Sequence, residues 1–227
     1  MNEQLSITRS YFYEFCARAI SFINESDFAI LQEQAKFFSD NLDDLNDDFK
    51  AILNCSYMDY KTEQNAVFYD FSYVNVPFDA SFYDEGRDNG KMRIIATGVL
   101  KRANLIKSEA ISDNEDSMNF LFFLGSVLCK SNDELCNELF LRIINEVVDE
   151  FCEKLKMHKN SKIFIHIANI ISYLVQIERE FYSINPPMKK ESVADKALQR
   201  IPYEPRLPTE FSKINMSELT SFKENIE

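Results

Sequence analysis

Between residues 1 and 76 the chain contains neither glycine nor proline, and the full sequence holds only four glycines and six prolines. These residues punctuate hairpins and tight loops, so so long a stretch without them does not suit a succession of short strands. Apolar residues recur three and four apart along the same stretch, the spacing by which a helix buries one face. Phe12, Phe15, Ala19 and Phe22 share a face of the first helix. Ser26 and Asp27 are placed to cap a second over about 27–39. The acidic run DNLDDLNDD (40–48) reads as a solvated link, with helices near 45–55 and 60–74 after it. No segment alternates with period two for long enough to suggest a sheet, so the expected fold is an all-α, single-domain helical bundle.

The pattern breaks once inside the body. Pro77, the only proline before Pro186, opens PFDASFYDEGRDNGK (77–91), which also holds Gly86 and Gly90. Beyond it the spacing predicts a helix over about 87–106, then one through MNFLFFLGSVLCK (118–130) with Ser112 or Asp113 as N-cap. The latter helix is apolar on every side and belongs at the bundle centre, where Gly125 allows a close crossing. Amphipathic helices are predicted over 133–156 and 161–182. In the second, Lys162, His166, Asn169, Gln176 and Glu180 form a stripe that is either a narrow solvent face or a groove lining.

Composition changes at Asn185-Pro186-Pro187, and five of the six prolines follow, so 1–184 reads as the helical domain and 185–227 as a Pro-containing C-terminal tail. KESVADKALQR (190–200) suits a short helix and IPYEPRLPTEF (201–211) an extended, polyproline-like segment. Tyr203, Leu207 and Phe211 would anchor the tail if it docks on the body, the alternative being a loose tail.

Charge and residue usage exclude several classes. Thirty-seven acidic and twenty-five basic residues leave a net charge of −12, all of it on the helical body, which argues against nucleic acid. The N-terminus MNEQLSITRS lacks the basic start and apolar core of an export signal, and no run reaches the roughly 18 apolar residues of a membrane span. A cytoplasmic protein without direct membrane insertion is expected. The five cysteines show no C-x-x-C pair and read as small buried hydrophobes. His158 and His166 have no glutamate three positions before them, so the di-iron pattern is missing and no metal is expected. No G-x-S-x-G elbow or phosphate loop appears, so neither an enzyme nor a cofactor is expected.

The order YDFSYVNVPFDASFYDEGR (69–87), helix, DNEDSMNFLFFLGSVL (113–128) resembles the central signature of the TorD/DmsD-type chaperones, cytoplasmic assembly proteins of exported molybdoenzymes. Tyr69, Phe71 and Tyr73 stand for that family's aromatic helix end, and Pro77, Ser81, Phe82 and Tyr83 for its turn. Asp116 matches the aspartate of its E-P-x-D-H loop, whereas Asp113, Asn114 and Ser117 replace the glutamate, proline and histidine. RSYFYEFCARAISF (9–22) is similar to the family's first helix and REFY (179–182) to the end of its last, so the likeness covers about 1–183. The form ASFYDEGRDNGK is similar to members serving formate dehydrogenases.

The resemblance implies an all-α fold, monomeric or a domain-swapped dimer, that binds the twin-arginine signal peptide of a molybdoenzyme precursor and delays export until cofactor insertion. Some relatives take guanine nucleotide or the molybdenum cofactor, for which this chain holds no motif. Such a leader offers two guanidinium groups followed by an apolar segment, and recognising it requires carboxylates beside a hydrophobic groove. Tyr69, Tyr73, Phe78, Asp79, Ser81, Tyr83, Asp84 and Glu85, with Asp113, Glu115, Asp116 and Ser117 from the second loop, are the expected leader-binding residues. The bland alternative is a helix-to-helix turn with its rings in the core and its acids wetted. A rival function is a helical assembly factor that binds the mature catalytic subunit of a membrane-bound reductase without reading a leader.

Overall fold

The computed structural model of the protein describes residues 3–70, 75–188 and 191–199, and among these no strand is present. The helices are α1 (Glu3–Ile20), α2 (Glu25–Ser39), α3 (Asn46–Leu53), α4 (Tyr57–Phe68), α5 (Ala80–Glu85), α6 (Lys91–Arg102), α7 (Met118–Ser131), α8 (Asp133–Leu139), α9 (Asn145–Met157), α10 (Ile163–Tyr182) and α11 (Val193–Leu198). The all-α expectation holds, since glycine-poor, 3.6-periodic sequence has no better way to satisfy its backbone.

The centre of the bundle is the crossing of α1 and α7. A Cβ on Gly125 would lie 2.8 Å from the Tyr13 ring, so this position accepts only glycine if the helices are to meet. The helix read as apolar on every side is nearly enclosed, with Phe120, Leu121, Phe122, Leu124 and Leu128 buried; Phe123 alone of its large apolar side chains is substantially exposed. Around this axis α10 packs against α9, α3 and α1, and α2 against α3. The Phe38 and Phe49 rings stack at 5.5 Å between them.

One polar network is sealed into this core. Arg9, 3% exposed, donates through Nε and Nη2 to both carboxylate oxygens of Glu178 at 2.7 Å, and Glu178 is wholly buried. The same guanidinium reaches Asp133 Oδ1 at 2.8 Å and the Tyr182 hydroxyl at 2.5 Å, while Tyr13 OH donates to Glu178 at 3.1 Å. This network ties α1, α8 and α10 together, and it gives Arg9 and the 179–182 ending a structural role.

Several boundaries differ from expectation for local reasons. Asn24, rather than Ser26, caps α2, its side chain accepting from Asp27 N–H at 2.9 Å. Phe22 lies past the end of α1 and is 60% exposed, not in the core. The α4 helix stops at Phe68, and Phe71 and Tyr73 lie outside the described residues. The helix expected over 87–106 is the shorter α6, because Arg87–Asn89 precede its Gly90 N-cap and Asn104 adopts φ +54° past its end. Ser117, not Ser112 or Asp113, occupies the cap position of α7. The helix expected over 133–156 is broken by a π-helical turn, Phe140–Ile144, between α8 and α9. His166 and Asn169 both hydrogen-bond Asp48 of α3, so part of the α10 stripe is a helix seam.

All five cysteines are free, and burial pushes the Cys55 thiol up to about 11 and Cys152 up to about 12, leaving them protonated and poorly nucleophilic at neutral pH. Among the described residues no helix is long and apolar enough to cross a membrane, and no cluster of three or more histidine, cysteine or carboxylate side chains is arranged to hold a metal.

Candidate functional site

The break at Pro77 is a joint between two loops that the sequence separates by some thirty residues. Phe78 C=O accepts from Met118 N–H at 2.9 Å, and Asp116 C=O accepts from Ala80 N–H at 2.8 Å. Asp79 and Ser117 thereby form a single antiparallel bridge. Side chains reinforce it: Asp116 Oδ2 accepts from Ser81 N–H at 3.0 Å and from the Ser81 hydroxyl, and Asn114 donates to Asp79. The Tyr83 hydroxyl closes the turn by donating to Pro77 C=O at 2.7 Å. Gly86 then ends α5 in the left-handed region at φ +69°.

Ser81 and Asp116 are completely buried and Ser117 nearly so, and although Asp116 Oδ1 has no hydrogen-bond partner it is enclosed in the joint; direct contact with a peptide would require the joint to open. Asp116→Ala leaves the buried Ser81 N–H and hydroxyl without their acceptor, at an expected cost of about 2 kcal/mol. That corresponds to a melting temperature lower by roughly 4–8 °C. An unchanged melting curve would show that the joint is not under this bond's control.

Two acids near the joint, Glu115 and Glu85, are matched by the chain's own cations. Glu115 meets Arg93 at 2.6 Å and Lys107 at 3.2 Å, and although burial opposes it, these partners hold its carboxyl below the usual range. Glu85 accepts from the Lys91 N–H and from Arg87, which also lower it. Asp113 accepts from Asn119 at 2.8 Å. Tyr69 stands apart, edge-to-face with Phe22 at 5.8 Å on an exposed patch.

Asp79 differs. Burial, with Asp116 and Asp88 nearby, raises its pKa from 3.8 to about 6 against the opposing Asn114 bond. A carboxyl raised on folding contributes stability below its unfolded pKa, and that contribution is lost as pH rises through the folded value. The window is therefore about pH 4 to 6, and after screening by solvent the loss is on the order of 1 kcal/mol. Asp79→Asn is expected to flatten the melting-temperature profile in that window and to be the more stable protein at pH 7. Parallel profiles for the two proteins would contradict it.

Tyr83 and Asp84 face elsewhere, into a groove of about 830 Å³ between α5, α9 and the segment leading into α11. Its apolar lining includes Val76, Tyr83, Met92 and Val147, with Met157, Met188, Val193 and Leu198 partly or largely exposed at the edges. Methionine suits such a surface because its flexible thioether adapts to differently shaped apolar partners. Asp84 from α5, Glu146, Asp149, Glu150 and Glu153 from α9, and Glu191 and Asp195 at α11 supply seven carboxylates; Lys154 is the one cation among the described lining residues, and from outside the lining Arg179 pairs with Asp149 at 2.8 Å and Lys196 with Glu191 at 2.7 Å.

Helix periodicity puts the α9 acids there. Glu146, Glu150 and Glu153 stand at i, i+4 and i+7, a stripe about 10 Å long at 1.5 Å per residue. Opposite them on α9, Val148, Phe151, Cys152 and Leu155 are buried. Phe151 meets the Tyr83 ring edge-to-face at 6.2 Å, fixing α5 against α9. The α11 helix sits on α5 because Gly86 has no side chain: a Cβ there would lie 3.1 Å from Ala197 and 3.3 Å from Val193. Lys154 Nζ reaches Asp195 at 2.5 Å and Glu150 at 3.7 Å, and the Ser192 hydroxyl donates to Glu150.

Of the twelve residues expected to bind a leader, the structure therefore brings Tyr83 and Asp84 into the groove. It gathers Phe78, Asp79, Ser81, Asp113, Asp116 and Ser117 around the joint, and leaves Glu85, Glu115 and Tyr69 on other surfaces; Tyr73 lies outside the described residues. The α9 acids were missed, although NEVVDEFCEK (145–154) carries its acids on a single helical face. The short helix expected in KESVADKALQR is present as α11, whereas Tyr203, Leu207 and Phe211 fall outside the described residues.

No protein-family model and no curated protein matches this sequence. Among solved structures, the fold is similar to that of a candidate redox enzyme maturation protein from Archaeoglobus fulgidus, with a TM-score of 0.55 and 16% identity over 74% of this chain and 92% of that one.

Proposed function

We propose that this protein is a non-enzymatic maturation chaperone for a redox enzyme, and that it binds the twin-arginine leader of a molybdoenzyme precursor, a formate dehydrogenase catalytic subunit being the preferred client. The observation that carries the reading is the acid-walled, methionine-lined groove on a bundle whose fold is shared with a candidate redox enzyme maturation protein. A cationic segment followed by an apolar one has complementary surfaces there. Affinity comes from the apolar part, at roughly 25 cal/mol for each Å² removed from water and offset by ordering of the peptide. The exposed acids contribute about 0–1 kcal/mol each and supply selectivity.

Calorimetry with synthetic leaders of twin-arginine-exported molybdoenzymes from the same genome tests this. Saturable binding and a raised melting temperature are expected with one of them, and weaker binding when both arginines become glutamine. Absence of binding to every leader, together with capture of a catalytic subunit from which the leader has been deleted, would replace the proposal with the assembly-factor reading.

A further inference from the structure

Besides the single Asp84 of α5, two elements carry more than one carboxylate each to the groove. The α9 helix contributes Glu146 and Glu150, while the segment at α11 contributes Glu191 and Asp195. At one point Lys154 bridges them, its ammonium within 2.5 Å of Asp195 and 3.7 Å of Glu150, so a single cation can touch both. The α11 side is a seated part of the body: Ala194 is fully buried, Val193 and Ala197 rest where Gly86 leaves room, and Ser192 bonds Glu150.

Neighbouring side chains diverge on any regular backbone, by about 100° on a helix and to opposite faces on a strand. A surface with acids on one side alone engages cations spaced i, i+2 when the ligand is extended, or i, i+3 and i, i+4 when it is helical. Two cations at adjacent positions are therefore both paired most readily between carboxylates on separate elements. We propose that α11 is the second wall of the binding site, and that the two walls together select ligands whose two guanidinium groups stand on adjacent residues. One arginine is taken by the α9 stripe and the next by Glu191 and Asp195, displacing the exposed Lys196 from Glu191 and Lys154 from Asp195. This rests on the groove being the leader site, and it gives the C-terminal segment a role in specificity.

The experiment uses the full-length protein and apolar model peptides of one composition, with arginines at i, i+1; at i, i+2; or at i, i+4, alongside the native leader. The adjacent pair is expected to bind at least tenfold more tightly than either isomer. Glu191→Gln with Asp195→Asn is expected to reduce that preference to about twofold or less while binding persists. A control of equal charge loss away from the groove, Glu109→Gln with Glu134→Gln, should retain it. Equal affinity of the wild-type protein for all three spacings, or a tenfold preference surviving in the α11 variant, would overturn the proposal. If the native leader fails to bind while the model peptides show the spacing preference, the two-walled site stands and the leader reading falls. If no peptide binds, both fall.

Discussion

Arg9→Ala is expected to destabilise the protein by about 3–5 kcal/mol, the largest effect of any single substitution considered. The reason is what the change leaves behind. Glu178 has no exposure, and both of its oxygens are held by Arg9 at 2.7 Å, so truncating the arginine strands a carboxylate in the core. Asp133 and the Tyr182 hydroxyl lose the same partner, and the contact of the guanidinium with the Phe181 ring, 4.0 Å from its centroid, is lost as well. For a chain of 227 residues this is a melting temperature lower by roughly 6–20 °C. Arg9→Met combined with Glu178→Met, which removes the charges in pairs, should recover more than half of the loss. An Arg9→Ala protein that melts within 2 °C of wild type, or a double variant worse than the single, would show that the network does not hold α1 to α10.

The second large effect concerns binding. Asp84 and Glu146 line the groove from different helices and have no ion pair among the described residues, so they are available to a ligand and are not needed by the fold. Reversing both, as Asp84→Lys with Glu146→Lys, replaces two attractions with two repulsions. At about 1 kcal/mol or somewhat more for each site, this amounts to leader binding weaker by roughly 30–100-fold. The melting temperature should hold or rise, because the reversal relieves crowding on a protein of net charge −12. Wild-type binding should weaken only modestly with salt, since screening acts on the acids and not on apolar burial. Undiminished leader binding by the reversed protein would move the site away from the groove.

The same structure explains why the expected residues divided as they did. Ser81 and Asp116 are polar, lie in loops and sit near aromatic rings, which is how both a binding site and a buried joint look along a sequence. What separates the two is the partner thirty-five positions away, and hydrogen bonding at that range is invisible to local pattern. Glu115 looked available for the same reason, until Arg93, twenty-two positions away, arrived beside it. Conversely, the α9 acids have the spacing of an ordinary wet helix face, and only the arrival of α5 and α11 turns that face into the side of a groove. Helix ends were misplaced where one side chain outcompeted another for the same N–H groups, as Asn24 did over Ser26.

Local chemistry was enough to determine that the chain is helical, that α7 lies innermost, that Gly125 marks a close crossing, and that the helices are interrupted at Pro77. Each follows from backbone entropy and hydrophobic periodicity, which act within a few residues. Which carboxylates remain open to a partner was decided only by tertiary structure. A charge is free or spent according to what other segments bring within about 4 Å of it, and that distance is set by packing between helices that are remote in the chain.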